Sequence, residues 1–326
     1  MSLFIGGLAV LLAACTQDYP YNSLAPEGPV ADKQAELYWL VFWIAVGVFV
    51  IVEGLLLFAL FRFRRRGADD TPRQIHGNTR LEVVWTIIPA LLLAGVAVPT
   101  VGTIFDLAQT PSNALEVRIT AHQWWWEVEY PSLGVVTANE IHIPTDRPVS
   151  FQLESKDVIH SFSVPRLAGK QDIIPGKVNT LIIAAPRAGT YFGQCQEFCG
   201  LSHANMHFRV VAQERADFDA WVEAQRQPAA GMPPPEIAQT VTGTCMSCHA
   251  IAGVGEGQSL GVRPAPDLTH LAGRETIAAG LLRNDPEDLA RWLENPPRVK
   301  PGSKMPDYNL TEDQIEALVA YLQALE

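Results

Sequence analysis

Cysteine is scarce and unevenly placed: five in 326 residues, with Cys15 near the start and two close pairs, Cys195/Cys199 and Cys245/Cys248. So few, so placed, exclude a disulfide scaffold, and close pairs with histidines nearby point first to metal or haem. Basic residues are outnumbered, 24 against 35 acidic, for a formal net charge of −11. That balance argues against nucleic acid and suits a basic protein partner, although plain solvated surfaces are often acidic too. No internal repeat is present. Long apolar runs are missing after the first third, so the remainder reads as soluble domains. At this length two or three units are expected.

The apolar residues that do cluster lie early. Residues 3–14 are too short to span a bilayer and have the length of a signal-peptide core. They end in Leu12-Ala13-Ala14-Cys15, which resembles a bacterial lipobox and makes 1–15 a targeting segment with a lipidated cysteine. A plain signal peptide with a chance cysteine is the alternative, and no basic residue precedes the run. Residues 37–61 carry one charge, Glu53, and reach ~37 Å at ~1.5 Å per residue, enough to span. Arg62, Arg64, Arg65 and Arg66 follow, then Arg73 and Arg80, then a second apolar run over 83–105. Residues 30–110 therefore read as a two-helix transmembrane hairpin. By the positive-inside bias the Arg-rich loop is cytoplasmic and both flanking ends face outward. A buried core hairpin is the bland alternative, disfavoured by run length and arginines. Glu53 is a carboxylate at membrane depth and so a functional candidate by default; only a protonated or helix-packed role suggests itself.

Residues 111–226 have a different texture. Segments 115–121, 124–130, 149–153, 178–185 and 206–212 read as strands between Pro, Gly and Asn punctuation. Their spacing predicts a small sandwich or barrel, closed by a helix over 216–225. Its chemistry lies in Cys195-Gln-Glu-Phe-Cys199-Gly-Leu-Ser-His203-Ala-Asn-Met206. Thiolates, imidazole and thioether on one loop form a soft donor set suited to copper electron transfer. One cysteine would serve a mononuclear centre; a second allows two thiolates to bridge two coppers. The missing second histidine is best supplied by His160, in Asp157-Val-Ile-His160. A Cys195–Cys199 disulfide would leave His203 and Met206 unexplained, and zinc has little use for methionine.

From Gly193 to Met206 the loop resembles the CuA loop of cytochrome c oxidase subunit II at every ligand position. The resemblance covers roughly residues 30–225. It implies an all-β cupredoxin-like Greek-key domain holding dinuclear copper on His160, Cys195, Cys199, His203 and Met206, with Glu197 giving its backbone carbonyl. The Glu197 carboxylate would reach a magnesium ion at the interface with subunit I. Glu82-Val83-Val84-Trp85-Thr86-Ile87-Ile88-Pro89 resembles the start of the family's second transmembrane helix, which makes Glu82 the entrance of a proton channel in subunit I. From physics alone Glu82 is an interfacial carboxylate. His122-Gln123-Trp124-Trp125-Trp126 resembles the family's aromatic motif, which implies that electrons reach copper at Trp124. By strand geometry Trp124 and Trp126 share a face, where core packing is the bland reading. Quinol-oxidising relatives lack the copper ligands. His76, His142 and His207 have no motif partner and read as packing or polar residues.

Residues 227–236 are a Pro-rich, semi-rigid linker. Then comes Cys245-Met246-Ser247-Cys248-His249, the spacing of c-type haem attachment. A thioredoxin-like pair would need a βαβ unit, and zinc two further ligands; neither is evident. Met305, between Pro301 and Pro306, is the only methionine after the motif and the expected sixth iron ligand, ahead of His270. His/Met ligation raises the haem potential, as an electron carrier requires. Asp285-Pro286 and the Thr311/Gln314 capping box open two helices. Residues 237–326 thus resemble a small all-α class I cytochrome c domain, in which the Pro266 carbonyl would orient His249.

The whole chain resembles the copper-and-haem subunit of a caa-type oxidase. That implies electrons entering at haem c or near Trp124, passing to CuA and leaving to the haem of subunit I, where oxygen is reduced to water with proton pumping. Subunits I and III, a cytochrome c donor and a bacterial inner membrane are the implied partners and setting, with the copper and haem domains on the outer face. A nitric oxide reductase with a CuA subunit would look alike, as would an anchored copper/haem carrier or assembly factor without a catalytic partner.

Overall fold

The computed structural model describes residues 19–64, 67, 74, 76–228, 231–254 and 264–326. Cys15 with its lipobox, and Arg65, Arg66 and Arg73, lie outside the described residues. The chain divides into two compact units, Asp32–Gln109 and the remainder.

The first unit holds α1 (Pro29–Arg62) from Asp32 onward and α2 (Thr79–Leu107). Pro29 is pre-organised for a first helical turn, and the Asn78 side chain caps α2 by accepting from the Arg80 and Leu81 amides. Both helices exceed the spans expected from hydropathy, because polar residues occupy their starts, Asp32, Lys33 and Glu36 in α1 and Thr79, Arg80 and Glu82 in α2. Their apolar stretches have mean hydropathy 2.7 and 2.2 and none of either is buried within the chain. Side chains exposed on this scale need lipid or protein around them. Lys33 and Asp106 pair at 3.0 Å, both substantially exposed, so the pair adds little stability.

The second unit begins with a β-sandwich. One sheet has the order β3-β2-β1-β5-β8, from Val135–Ala138, Trp125–Tyr130, Leu115–His122, Val149–Ser155 and Asn179–Ile183. The other has the order β4-β10-β9-β6-β7, from Glu140–Pro144, His207–Gln213, Gly189–Cys195, His160–Ser163 and Lys170–Ile173. Alternate residues of β2, β9 and β10 face inward, the period that a half-buried strand requires. Trp126, Tyr130, Phe151, Phe162 and Phe208 are fully buried between the sheets, each contributing roughly 1.5–3 kcal/mol. Trp124 precedes β2 rather than lying in it. It therefore escapes the strand alternation and does not share Trp126's place in the core.

Helix α3 (Arg215–Gln225) lays Trp221 flat on His142, with ring centroids 4.2 Å apart. His142 Nδ1 bonds Gln213 Oε1 at 2.8 Å, and burial pulls the imidazole from 6.5 down to about 4. The unfolded chain therefore binds a proton that the folded chain rejects between those values. This contribution is complete above the unfolded value of 6.5 and is lost as pH falls towards 4, by ~3 kcal/mol. Denaturant midpoints of the region following α2, measured from neutral to acid pH, should fall more steeply than in His142→Phe.

The cytochrome-like region adds α4 (Pro235–Gln239), α5 (Pro286–Glu294), α6 (Pro296–Val299) and α7 (Glu312–Leu322). Asp285 caps α5 through the Asp288 amide, and Thr311 with Gln314 forms a complete capping box on α7. This region is not purely helical. Strands β11 (Thr276–Ile277) and β12 (Leu282–Arg283) form a small hairpin, too short to show any alternation in the sequence.

Candidate metal centre

Strand pairing brings the soft donors together. In β6 and β9, Phe162 lies opposite Cys195, and the Gln196 amide bonds Ser161 O at 3.0 Å, placing His160 beside Cys195. The loop from 196 to 206 returns through a short turn at His203–Asn205 and closes where the Cys195 amide meets Met206 O at 2.9 Å. Ligand atoms of His160, Cys195 and Cys199 all lie within 4.8 Å of one another. The Cys195 and Cys199 sulfurs are 3.8 Å apart, with His160 Nδ1 3.9 Å from the first and His203 Nδ1 3.6 Å from the second. Met206 Sδ is 3.9 Å from Cys199 Sγ, and Glu197 O is 3.3 Å from Cys195 Sγ. Two thiols, two imidazoles, a thioether and one carbonyl therefore converge, a donor set that fits copper and not zinc. The two cysteines are free.

Electrostatics support the set. The Cys199 S–H donated to Cys195 holds the Cys195 thiol well below its usual range, despite burial, while Cys199 is pushed up by the same contact. His160 Nε2–H donates to Asp157 Oδ1 at 2.8 Å. Burial opposes ionisation of Asp157, but hydrogen bonds from His160, the Val158 amide and the Gln123 amide keep it below the ordinary carboxylate range. A carboxylate behind a ligating imidazole orients the ring and fixes its tautomer. Asp157 is thus a functional residue not singled out from the sequence, although it stands three residues before His160.

Trp124 lies over the loop. Its indole Nε1–H donates to Cys199 O at 3.0 Å, and Gln123 Nε2 donates to the same carbonyl at 2.7 Å. Trp124 is only 9 % exposed, because the cytochrome region covers it. A Cβ on Gly302 would stand 2.7 Å from its ring.

On the other side of Trp124 is a cavity of about 320 Å³, lined by Cys245, Cys248, His249 and Met305. Gln123, Trp124, Trp125 and Asn139 of the sandwich complete its wall. The CxxCH segment forms one turn, with the His249 amide bonding Cys245 O at 2.9 Å. His249 Nδ1–H donates to Pro266 O at 2.6 Å, leaving Nε2 with a free lone pair. Burial also pushes His249 towards its neutral form, the form that binds iron. Arg274 Nε is buried without a hydrogen-bond partner among the described residues and lines the same cavity. An orphaned cationic donor fits a group that brings its own carboxylates. His270 is turned away, its Nε2–H donating to Gln227 O at 3.0 Å, and it does not line the cavity.

Glu82 and Glu197 are the remaining candidates. Glu82 lies in the first turn of α2 and accepts from the Asn78 amide at 3.3 Å. The Glu197 carboxylate is half-exposed, 3.9 Å from Lys170 Nζ.

Fold and site together define a membrane-anchored electron-transfer protein with a copper-type sandwich and a c-type haem domain. Matches to known families follow the same divisions: "Cytochrome C oxidase subunit II, transmembrane domain" over 25–102, its "periplasmic domain" over 134–213, and "Cytochrome c" over 236–326. The cytochrome c oxidase subunit 2 of Alkalihalophilus pseudofirmus is 35% identical across 98% of this chain and 95% of its own length. That of Bacillus sp. (strain PS3) is 38% identical across 100% and 96%. A solved periplasmic domain of subunit II from Bradyrhizobium japonicum is 30% identical over 36% of this chain and 97% of its own, with a TM-score of 0.35. The chain belongs to the cytochrome c oxidase subunit II family, in the form that carries a fused cytochrome c domain. It is accordingly an electron-accepting, membrane-anchored component of a haem–copper oxidase, working with subunit I and built for copper and haem c.

Proposed function

We propose that the chain takes electrons from a cytochrome c at haem c and delivers them through CuA to the haem of subunit I, where oxygen is reduced to water with proton pumping. The observation that carries this reading is the position of Trp124, between the cavity lined by His249 and Met305 and the six converging donors. Cys245 and Cys248 anchor the haem, and His249 and Met305 ligate its iron. His160, Cys195, Cys199, His203, Met206 and the Glu197 carbonyl hold two coppers. Bound there, the two groups supply one-electron carriage at little structural cost. Trp124 orients itself on Cys199 O and excludes water between them.

The finer assignments rest on the family resemblance and on chemistry. Glu82 stands at a proton-channel entrance of subunit I, and the Glu197 carboxylate reaches a magnesium ion at that interface. The copper and haem domains face the periplasmic side of a bacterial inner membrane, subunit III joins the complex, and Cys15 carries a lipid anchor. Purification from membranes tests the assignment. The expected result is a complex with a large haem-bearing subunit that consumes oxygen when given reduced cytochrome c. A partner with non-haem iron that turns over nitric oxide, or no partner at all, would overturn it.

A further inference from the structure

A buried lysine joins the two soluble domains. Lys300 is 4 % exposed, and no carboxylate among the described residues pairs with it. Its Nζ donates to Trp124 O at 2.7 Å and to Ala278 O at 2.8 Å. One amine thus satisfies a carbonyl of the copper domain and a carbonyl of the haem domain, in a place where burial pulls it from 10.5 down to about 7 and an unpartnered polar group would be strongly disfavoured. A long apolar side chain would fill the same space without that cost, so the two N–H contacts, which the amine makes in either protonation state, mark a geometric requirement.

The Ala278 carbonyl is itself held in an unusual way. Ala278, Ala279 and Gly280 have φ of 53, 62 and 72° in succession, a left-handed run that alanine seldom adopts and that persists only where surroundings enforce it. The run forms the tip between β11 and β12 and aims two carbonyls at the interface. Ala278 O faces Lys300, and Ala279 O accepts the His207 amide at 2.9 Å, next in sequence to Met206. At the root of the hairpin the buried Glu140 carboxylate accepts from the Glu275 and Thr276 amides at 3.1 and 2.8 Å. Ser202 Oγ donates to Pro301 O at 2.6 Å, from within the copper loop. Contacts between domains are by default loose and mobile; these are buried, directional and satisfied.

We propose that Lys300, acting with the left-handed tip at 278–280, is a positioning residue for electron transfer: it locks the Trp124 peptide to the haem domain so that haem and copper face each other in one geometry. Lys300 is none of the candidate metal ligands, although its side chain also lines the haem cavity. It holds the carbonyl of Trp124 while Cys199 O holds the indole, so the tryptophan is fixed at both ends by the two centres it separates. The step served is the passage of one electron from ferrous haem to the oxidised copper pair, with no bond made or broken. The proposal rests on the relay reading above.

The test uses the full oxidase complex with Lys300→Met, which keeps the apolar stem and removes the donors. Haem c is reduced by a light pulse, and the unimolecular reoxidation by copper is followed. The rate should fall by about tenfold or more, given how steeply reaction rates respond to displacements near 1 Å. The Met–iron charge-transfer band and the copper near-infrared band should stay unchanged, and the slowing should exceed what any shift of the two reduction potentials accounts for. Gly280→Ala is the second variant: its Cβ would stand 2.9 Å from His207 Cβ at φ +72°, wedging the tip outward. It should show the same slowing, and it decides the matter if Lys300→Met fails to assemble. Unchanged rates in the variants that assemble, or slowing that tracks loss of either band, would overturn the role of Lys300. Absence of any unimolecular phase in the unsubstituted complex would instead defeat the relay reading.

Discussion

Met305→Ala is expected to leave haem covalently attached and to lower its reduction potential by a few tenths of a volt, a sizeable part of the ~0.8 V that axial ligands command. Attachment survives because Cys245 and Cys248 are untouched and His249 remains held by Pro266 O. The potential falls because a thioether favours ferrous iron, and among the described residues of the cavity wall no second thioether replaces it. Met246 is buried in the domain core, and His270 is committed to Gln227. For one electron each ~59 mV is a factor of ten in equilibrium, so reduction by the external donor becomes steeply uphill. Transfer onward to copper gains driving force, yet turnover collapses for want of reduced haem. A redox titration with near-infrared monitoring measures both quantities. Persistence of the Met–iron band and of the potential would show that Met305 is not the ligand.

Cys199→Ser is expected to have an equally large effect on the copper centre. On the proposed assignment, both sulfurs together would hold two coppers that share one unpaired electron, which would spread the change on reduction over both metals. Serine removes one bridge and offers a hard, poorly ionised oxygen to a soft metal. The site should then hold a single copper on the remaining sulfur and imidazole donors. Metal analysis should fall from two coppers to one, and the EPR spectrum should change to the four-line pattern of an electron on one copper nucleus. An unchanged spectrum in the variant would remove Cys199 from the centre. So would a four-line pattern in the unsubstituted chain.

Much of this was legible in the sequence because the chemistry is local. The copper loop packs five of the six donors into twelve residues, and the haem motif needs only one turn. The hydropathy of α1 and α2 shows their spans, missing only polar end turns. Legibility failed where a residue's role depends on a distant partner. β6 is four consecutive buried residues, His160–Ser163, so it shows no alternation, and β9 carries glycines at 189 and 193. Lys300 reads as an ordinary charge before a turn, yet its partner Trp124 is 176 positions away. Trp124 sits just outside its expected strand, and the cytochrome region that covers it follows the linker. Asp157 could have been found from its spacing to His160. The hairpin at 276–283 had no signal at all.

The burial of Glu140 and Lys300 between the soluble domains has a consequence for kinetics in salt. Mobile ions screen exposed charges over ~8 Å at physiological ionic strength and affect buried contacts far less. The haem-to-copper contact is also intramolecular, so its effective concentration is set by the chain itself and does not depend on encounter. A basic external donor must still diffuse to an acidic protein of net charge −11, a step that salt weakens. Raising ionic strength should therefore slow capture of the donor while leaving the internal transfer rate constant, so that the two steps of one relay answer differently to the same ions.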